Sequence, residues 1–99
     1  MKKITIKNTL IAAGFDPSGG AGMVRDLRTM RDSGVIATGI VTAITAQNEK
    51  RFLGWIPVDS DMVRMQLKSI LEENPVKWVK IGMVGTVENL NCLLDDLRN

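Results

Sequence analysis

The fold of this chain is decided by the stretch NTLIAAGFDPSGGAG, residues 8–22. Its apolar first half runs into turn residues and closely spaced glycines, a pattern typical of a buried strand that ends in a loop. Apolar side chains then recur with helical spacing at Met23, Leu27 and Met30, and Gly34 stands where a left-handed C-cap is expected. The stretch and its continuation therefore predict a strand, a glycine-rich loop and a helix.

Three further segments are predicted to be strands. Residues 35–48 are rich in Val, Ile and Thr, which indicates a long buried strand. Residues 51–58 indicate a shorter strand near the edge of the sheet, because Pro57 has no N–H to give to a neighbouring strand. Residues 76–84 alternate polar and apolar side chains around two lysines, which also indicates a strand.

Two further helices complete the pattern. Asp59 and Asp61 suit the start of one helix, which Pro75 prevents from continuing beyond Asn74. Its inner face is predicted to consist of Val63, Gln66, Leu67 and Ile70. The inner face of the last helix is predicted to consist of Val87, Leu90, Leu94 and Leu97. Cys92 is then expected on the opposite side. Strands that alternate with helices favour one α/β domain with a mostly parallel sheet and right-handed crossovers.

Composition excludes several classes of function. The chain of 99 residues is long enough for one domain at most, and its formal net charge of +2 is too small to favour nucleic acid. It contains no His and one Cys, which excludes a Ser-His-Asp or Cys-His centre, a thiolate metal cluster and an intrachain disulfide within it. We expect a cytoplasmic protein, because neither a secretory signal nor an apolar run of the ~20 residues that a membrane span needs is present.

A binding site is expected where the predicted strands end, because ligands of open α/β sheets bind beyond the carboxyl ends of the strands. The first strand ends at Gly14, the long strand at residues 47–48 and the VKIG strand at residues 82–83. Asp26 lies at the border of the apolar stripe of the first helix, so its carboxylate can face the same cleft. A carboxylate, an amide, a thioether and a backbone loop together suit a small, flat, partly apolar ligand.

Each of these side chains also has an ordinary structural explanation. Asp26 would complement the helix dipole, Gln47 would form a turn, and Met83 would fill the core. Cys92 is expected to be an ordinary surface or interface residue rather than a nucleophile. The sequence patterns alone leave both explanations open.

The glycine-rich loop does not match the known phosphate-binding loops. Gly14 and Gly19 have the spacing of a P-loop, but the Lys and Ser/Thr that should follow them are missing. The dinucleotide-binding fingerprint fails as well, because Arg25 stands where its third glycine belongs. Asp16 would also repel a phosphate. We therefore expect a ligand-facing loop that is no triphosphate cradle, with a plain strand-to-helix connection as the alternative.

Four motifs occur in order along the chain: AGFDPSGGAG at residues 13–22, DL at 26–27, TAITAQN at 42–48 and VKIGMVG at 79–85. Together they resemble the N-terminal part of the hydroxymethylpyrimidine/phosphomethylpyrimidine kinases of thiamine biosynthesis, members of the ribokinase-like superfamily. The resemblance implies a three-layer α/β sandwich with a mostly parallel sheet, the N-terminal portion of a ribokinase-like fold. It also implies that residues 1–99 form a single, partial domain with the substrate-side motifs, without the ATP-binding C-terminal part.

The same resemblance implies an ATP-dependent phosphorylation of 4-amino-5-hydroxymethyl-2-methylpyrimidine and of its monophosphate. It implies that Gly14, Asp26, Gln47 and Met83 line the pyrimidine pocket, with the Gln47 amide bonded to the aminopyrimidine edge and Met83 packed against the ring. ATP and Mg²⁺ are implied as cofactors, with binding residues outside this chain. No residue here is then catalytic or a metal ligand, and the chain by itself is expected to be inactive or to need the missing part.

Two departures from the family keep alternatives open. Phe15 stands where the family usually has a small Ser or Thr, and residues 49–51 read EKR instead of a Thr-Arg-Gly-like sequence. The alternatives are a non-catalytic module that binds or senses the pyrimidine and, with Phe15 as the motive, a fragment of a pyridoxal-type kinase. Expected partners are the small-molecule substrate and, because a partial sheet exposes an edge, further copies of the chain or a complementing C-terminal part. Neither nucleic acid nor a membrane is expected as a partner.

Overall fold

The computed structural model describes residues 6–98, so residues 1–5 and residue 99 of the predicted domain lie outside the described part. The strands form one four-stranded sheet in the order β3-β2-β1-β4, with β1, β2 and β4 parallel and β3 antiparallel to β2. The elements are β1 (Ile6–Phe15), α1 (Gly22–Asp32), β2 (Val35–Gln47), β3 (Phe52–Pro57), α2 (Ser60–Leu71), β4 (Trp78–Ile81) and α3 (Val87–Leu97). The predicted α/β class and mostly parallel sheet are confirmed, and β3 lies at an edge of the sheet as its proline predicts.

The central strand β1 is covered on both faces, which explains its uninterrupted apolar sequence. Leu10 and Ala12 are fully buried on one face, in a core that includes Ile40 of β2 and side chains of α2 and α3. The opposite face is covered by α1, where Met23 lies against Gly39 so closely that a Cβ on the glycine would overlap the methionine sulfur. The sheet is therefore the middle of three layers.

The predicted helix α2 is confirmed in its start and in its inner face. The Asp59 side chain accepts a hydrogen bond from a backbone N–H of the first turn, and Val63 and Leu67 are fully buried. The Gln66 side chain makes two hydrogen bonds of 2.8 Å, accepting from the N–H and donating to the C=O of Val41. This amide takes the place of a neighbouring strand at the part of β2 that β3 does not reach.

The predicted strand over residues 76–84 is shorter in the structure. Its regular part, β4, ends at Ile81, and the N–H of Gly82 makes one last ladder bond to Ala12 at 2.8 Å. Beyond it the Met83 carbonyl accepts a hydrogen bond from the hydroxyl of Thr42 instead of from a strand partner. The chain therefore turns away from the sheet and enters α3.

The predicted inner face of α3 is only partly right, because Leu97 packs against the core but two of the other predicted residues do not. Asn89, Cys92 and Leu93 are buried, whereas Val87 and Leu94 are exposed, so Cys92 lies in the core and not on the opposite side of the helix. The apolar stripe predicts the wrong orientation of the helix because a polar residue such as Asn89 is assumed to face the solvent.

Asn89 faces inward because its amide satisfies buried backbone groups from three segments. Its Nδ2 donates to the carbonyls of Val58 at 2.9 Å, Val84 at 3.2 Å and Thr42 at 3.4 Å, and its Oδ1 accepts from the Ser60 hydroxyl at 2.8 Å. Buried carbonyls without partners are destabilising, so this amide joins the segments before α2 and α3 to β2.

Candidate functional site

One cleft of about 310 Å³ contains the four residues that the sequence singles out, Gly14, Asp26, Gln47 and Met83. The cleft lies at the carboxyl ends of β1, β2 and β4 and beside the start of α1, where ligands of open α/β sheets bind. The other lining residues are Ala13, Ala21, Gly22, Thr45, Lys80 and Gly82. The structure therefore brings the four residues together, while their roles toward a ligand stay a prediction.

A larger hollow of about 460 Å³ lies elsewhere on the molecule, along α2 and the end of α3. Its lining residues are Arg64, Lys68, Leu71, Glu72 and Asp96. It contains no strand end and no loop backbone, and its charged side chains belong to two helix surfaces. We therefore take the smaller cleft at the strand ends as the candidate site.

The loop after β1 is organised by Asp16, whose side chain is buried, with 3% of its surface exposed. Its Oδ1 accepts hydrogen bonds from the backbone N–H of Ser18 at 2.9 Å and from the Ser18 hydroxyl at 2.8 Å. Burial by itself raises the pKa of the Asp16 carboxyl. The hydrogen bonds from Ser18 and from the backbone of Ala21 and Gly20 outweigh it, so the pKa lies below its ordinary value. The carboxylate is thus used inside the loop and is absent from the cleft lining.

Gly22 closes the loop back onto the strand that precedes it. It forms an isolated antiparallel bridge with Phe15 and has a left-handed backbone, with φ 67°. A Cβ here would overlap the carbonyl oxygen of Gly14 and lie 3.3 Å from its carbonyl carbon. This glycine therefore permits a backbone-to-backbone contact between the loop and β1 that holds the wall of the cleft.

The Gln47 amide is fixed by a short chain of hydrogen bonds at the end of β2. The hydroxyl of Thr45 donates to the carbonyl of Phe15 at 2.9 Å, and Nε2 of Gln47 donates to the Thr45 hydroxyl at 2.8 Å. The amide keeps its carbonyl oxygen and a second N–H for other partners. An oriented amide of this kind can recognise a ligand edge that carries both a donor and an acceptor.

Met83 is positioned by an irregularity in β2. Ala13 pairs with Val41 but Gly14 pairs with Ala43, so the residue between the two partners is an extra one, a β-bulge. That residue is Thr42, whose hydroxyl holds the Met83 carbonyl. The methionine sulfur stands beside Gly14, where a Cβ would lie 3.4 Å from it. The result is a polarizable apolar wall of the cleft, 39% exposed.

Asp26 is paired with Lys80, a residue that the sequence analysis did not single out. The Lys80 Nζ lies 2.7 Å from the Asp26 Oδ1, and the two side chains are 51% and 16% exposed. The signal was present: alternation along β4 places Lys80 on the sheet face that α1 covers, opposite Val79 and Ile81. The pair puts one cation and one anion side by side in the cleft and leaves the Asp26 Oδ2 for a further donor.

These donors do not fit a magnesium–nucleotide site. The cleft lining contains one carboxylate, which already has a lysine partner, and within residues 6–98 no group of three or more His, Cys, Asp or Glu could hold a metal ion. No helix in the described range is long and apolar enough to cross a membrane.

Residues 16–99 match the family model of phosphomethylpyrimidine kinase. The chain belongs to this family. A hydroxymethylpyrimidine/phosphomethylpyrimidine kinase of Aquifex aeolicus is 38% identical over 90 residues, which are 91% of this chain and 35% of that protein. This bears out the family resemblance of the sequence motifs.

Two solved structures share the fold. A crystal structure of phosphomethylpyrimidine kinase from Clostridium difficile 630 has a TM-score of 0.86 and 36% identity, over 95% of this chain and 40% of that one. A Bacillus subtilis pyridoxal kinase in an ADP complex has a TM-score of 0.82 and 31% identity, over 96% of this chain and 37% of that one. The predicted ribokinase-like α/β fold is therefore confirmed. The chain spans little more than a third of the length of the relatives that it matches.

Proposed function

We propose that this chain is the pyrimidine-binding part of an ATP-dependent kinase. Its substrates would be 4-amino-5-hydroxymethyl-2-methylpyrimidine and the monophosphate of that compound, in thiamine biosynthesis in the cytoplasm. Family membership supports the kinase, and the cleft supports the binding role. The observation that carries the proposal is the convergence of Gly14, Asp26, Gln47 and Met83 at the strand ends.

The cleft has the chemistry that a small aminopyrimidine needs. The Gln47 carbonyl oxygen can accept from the exocyclic amine while its second N–H donates to a ring nitrogen. Met83 supplies an apolar surface for the ring, and Gly14 leaves space beside it. The Asp26 Oδ2 can accept a hydrogen bond from the hydroxymethyl group, because Lys80 already holds the other oxygen. A volume of about 310 Å³ suits a single small ring.

Binding of the substrate is the contribution that we assign to this chain. ATP with Mg²⁺ would supply the phosphoryl group, and no group of three or more His, Cys, Asp or Glu within residues 6–98 could hold the metal ion. Phosphoryl transfer depends on positioning and charge stabilisation around the transferred group. We therefore expect the chain by itself to bind the pyrimidine without phosphorylating it, which is also what a non-catalytic sensor of the pyrimidine would do.

A pyridoxal-type substrate is the second candidate, since the Bacillus subtilis pyridoxal kinase shares the fold. In the sequence, Phe15 is the residue that suggested a pyridoxal-type substrate. The structure uses the Phe15 backbone as a hydrogen-bond acceptor, and this residue is absent from the cleft lining. We therefore favour the pyrimidine over the pyridine ring.

Calorimetry on the full chain tests the proposal. The hydroxymethylpyrimidine should bind more tightly than pyridoxal, and Gln47→Leu should weaken its binding by roughly 10- to 100-fold, the effect of losing hydrogen bonds worth about 1–3 kcal/mol. Asn91→Leu, on the exposed side of α3, is the matched control and should leave binding unchanged. The absence of binding at millimolar pyrimidine, or tighter binding of pyridoxal, would contradict the proposal.

A further inference from the structure

Thr45 and Gln47 line the cleft from the same strand, β2, and lie two positions apart, so their side chains share one face of it. Thr45 is buried, with 5% of its surface exposed. Its hydroxyl contacts two groups at once, the Phe15 backbone carbonyl at 2.9 Å and the Nε2 of Gln47 at 2.8 Å. The hydroxyl therefore connects the backbone of β1 to an amide of the cleft lining.

The direction of these hydrogen bonds is fixed by the backbone carbonyl. A carbonyl oxygen can only accept, so the single hydroxyl proton of Thr45 is donated to Phe15. The hydroxyl oxygen keeps its lone pairs for the other partner, which must then be a donor. This requires the NH₂ of the Gln47 amide, and not its carbonyl oxygen, to lie against Thr45. An amide that is turned over would place two acceptors against each other at a buried residue.

The orientation of the amide decides which ring edge fits beside it. With Nε2 at Thr45, the Gln47 carbonyl oxygen can accept from a ligand and the second N–H can donate to it. A 4-aminopyrimidine is complementary, because its exocyclic amine donates and the adjacent ring nitrogen accepts. The corresponding 4-oxo ring has the opposite order, since its exocyclic oxygen accepts and its ring N–H donates.

We infer that Thr45 is the positioning residue that makes this site select a 4-amino ring over a 4-oxo ring. The inference rests on the proposed function, because it concerns the same site and the same class of ligand. To make two hydrogen bonds to the 4-oxo ring, the amide has to turn over, and it then loses its bond to Thr45 unless the hydroxyl releases the Phe15 carbonyl. Either change costs one hydrogen bond at a buried residue, which is worth roughly a factor of ten in affinity.

Selection against the 4-oxo ring excludes a degradation product of the substrate. Hydrolysis of the 4-amino ring replaces its amine by an oxygen from water and releases ammonia, which gives the 4-oxo ring. The two rings have nearly the same size, so apolar contact with Met83 alone would accept both. The orientation of one amide is therefore what distinguishes the substrate from its deaminated form.

The test is calorimetry on the full chain with 4-amino-5-hydroxymethyl-2-methylpyrimidine and with its 4-oxo analogue, read as the ratio of the two affinities. The unmodified chain should favour the 4-amino ring by roughly tenfold or more. Thr45→Val keeps the shape of the side chain but removes the hydroxyl, so it should lower this ratio roughly tenfold. Thr45→Ser keeps the hydroxyl and should keep the ratio.

Thr38→Val is the matched control for Thr45→Val. It also removes a threonine hydroxyl of β2 that bonds to a carbonyl of β1, in this case that of Thr9 at 3.4 Å, and it lies outside the cleft lining. It should leave both affinities unchanged.

Three outcomes of the calorimetry would overturn the inference and leave the proposed function standing. The first is an equal loss of affinity for both rings in Thr45→Val, which is the result of a merely structural role. The second is a ratio that Thr45→Ser lowers as much as Thr45→Val does, and the third is tighter binding of the 4-oxo ring by the unmodified chain. The absence of binding of either ring to the unmodified chain would overturn the proposed function as well.

A measurement on the unmodified chain decides if Thr45→Val fails to fold. Nuclear Overhauser effects should connect the Thr45 side chain to the side-chain NH₂ of Gln47 without any ligand, because the hydroxyl oxygen lies 2.8 Å from Nε2. If these effects are absent, the amide is not held by Thr45 and the inference is overturned.

Discussion

Replacing Gly22 by alanine should separate a loop that is held tightly against β1 from a plain connection. The left-handed backbone of this residue costs an alanine about 1–2 kcal/mol. The new Cβ also overlaps the Gly14 carbonyl, so the bridge to Phe15 must open, with the loss of about 1–2 kcal/mol of backbone hydrogen bonding. Alanine also stabilises the folded state by about 0.4–1 kcal/mol, because it lowers the conformational entropy of the unfolded chain. We therefore expect Gly22→Ala to lower the free energy of unfolding by about 2 kcal/mol.

Gly20→Ala is the matched control for this substitution in the same loop. Its Cβ would meet nothing closer than the Ser18 hydroxyl at 3.5 Å, and its φ is not positive. Its free energy of unfolding should therefore stay within about 0.5–1 kcal/mol of the unmodified chain. Urea denaturation followed by circular dichroism measures both variants. If Gly22→Ala is as stable as Gly20→Ala, the close approach of Gly22 to Gly14 is not a constraint and the account of the loop is refuted.

Three other substitutions test the remaining parts of the account. Asn89→Ala should lower the free energy of unfolding by about 3–5 kcal/mol, because the Val58 and Val84 carbonyls lose their side-chain donor and the Ser60 hydroxyl loses its acceptor. The exposed Asn91→Ala should change this free energy by less than about 0.5 kcal/mol, and equal effects of the two substitutions in urea denaturation would contradict the role of Asn89. The pKa of Asp16 is lowered on folding, so the stability that this carboxylate contributes is complete above its unfolded pKa of about 3.9 and is lost as the pH falls through its folded pKa. Asp16→Asn should therefore flatten the dependence of the free energy of unfolding on pH between about pH 2 and 6. An unchanged pH dependence would contradict the assignment. Lys80→Met should change the free energy of unfolding by less than about 1 kcal/mol, because the Lys80 side chain of the ion pair is half exposed. It should nevertheless weaken pyrimidine binding, because Asp26 is no longer held in place. An unaltered affinity for the pyrimidine would show that Lys80 is not part of the site.

The parts of the fold that could be predicted from the sequence depend on local patterns. Three features determine structure only within a few residues of their own position: the continuous apolar run of β1, the Asp59 cap of α2 and the proline at the end of β3. Strand ends follow from these elements, and the rule that places ligands there depends only on parallel topology. For these reasons the four candidate site residues could be placed near one another before any coordinates were known.

The parts that could not be predicted depend on contacts between distant segments. Asn89 reaches the carbonyl of Thr42, which lies 47 positions earlier, and nothing in the local pattern of α3 indicates that an asparagine faces the core. The face on which Lys80 lies could be predicted from the alternation along β4, but its pairing with Asp26 could not, because the two residues are 54 positions apart.

A titration followed by amide NMR tests the central claim most directly. Adding 4-amino-5-hydroxymethyl-2-methylpyrimidine to the isotopically labelled chain should shift the amide signals of Gly14, Gly22, Gly82 and Met83, together with the side-chain amide of Gln47. The signals of β3 and of the hollow along α2 should stay in place. No shifts at millimolar ligand, or shifts confined to residues outside the cleft, would contradict the assignment of this cleft as the pyrimidine site.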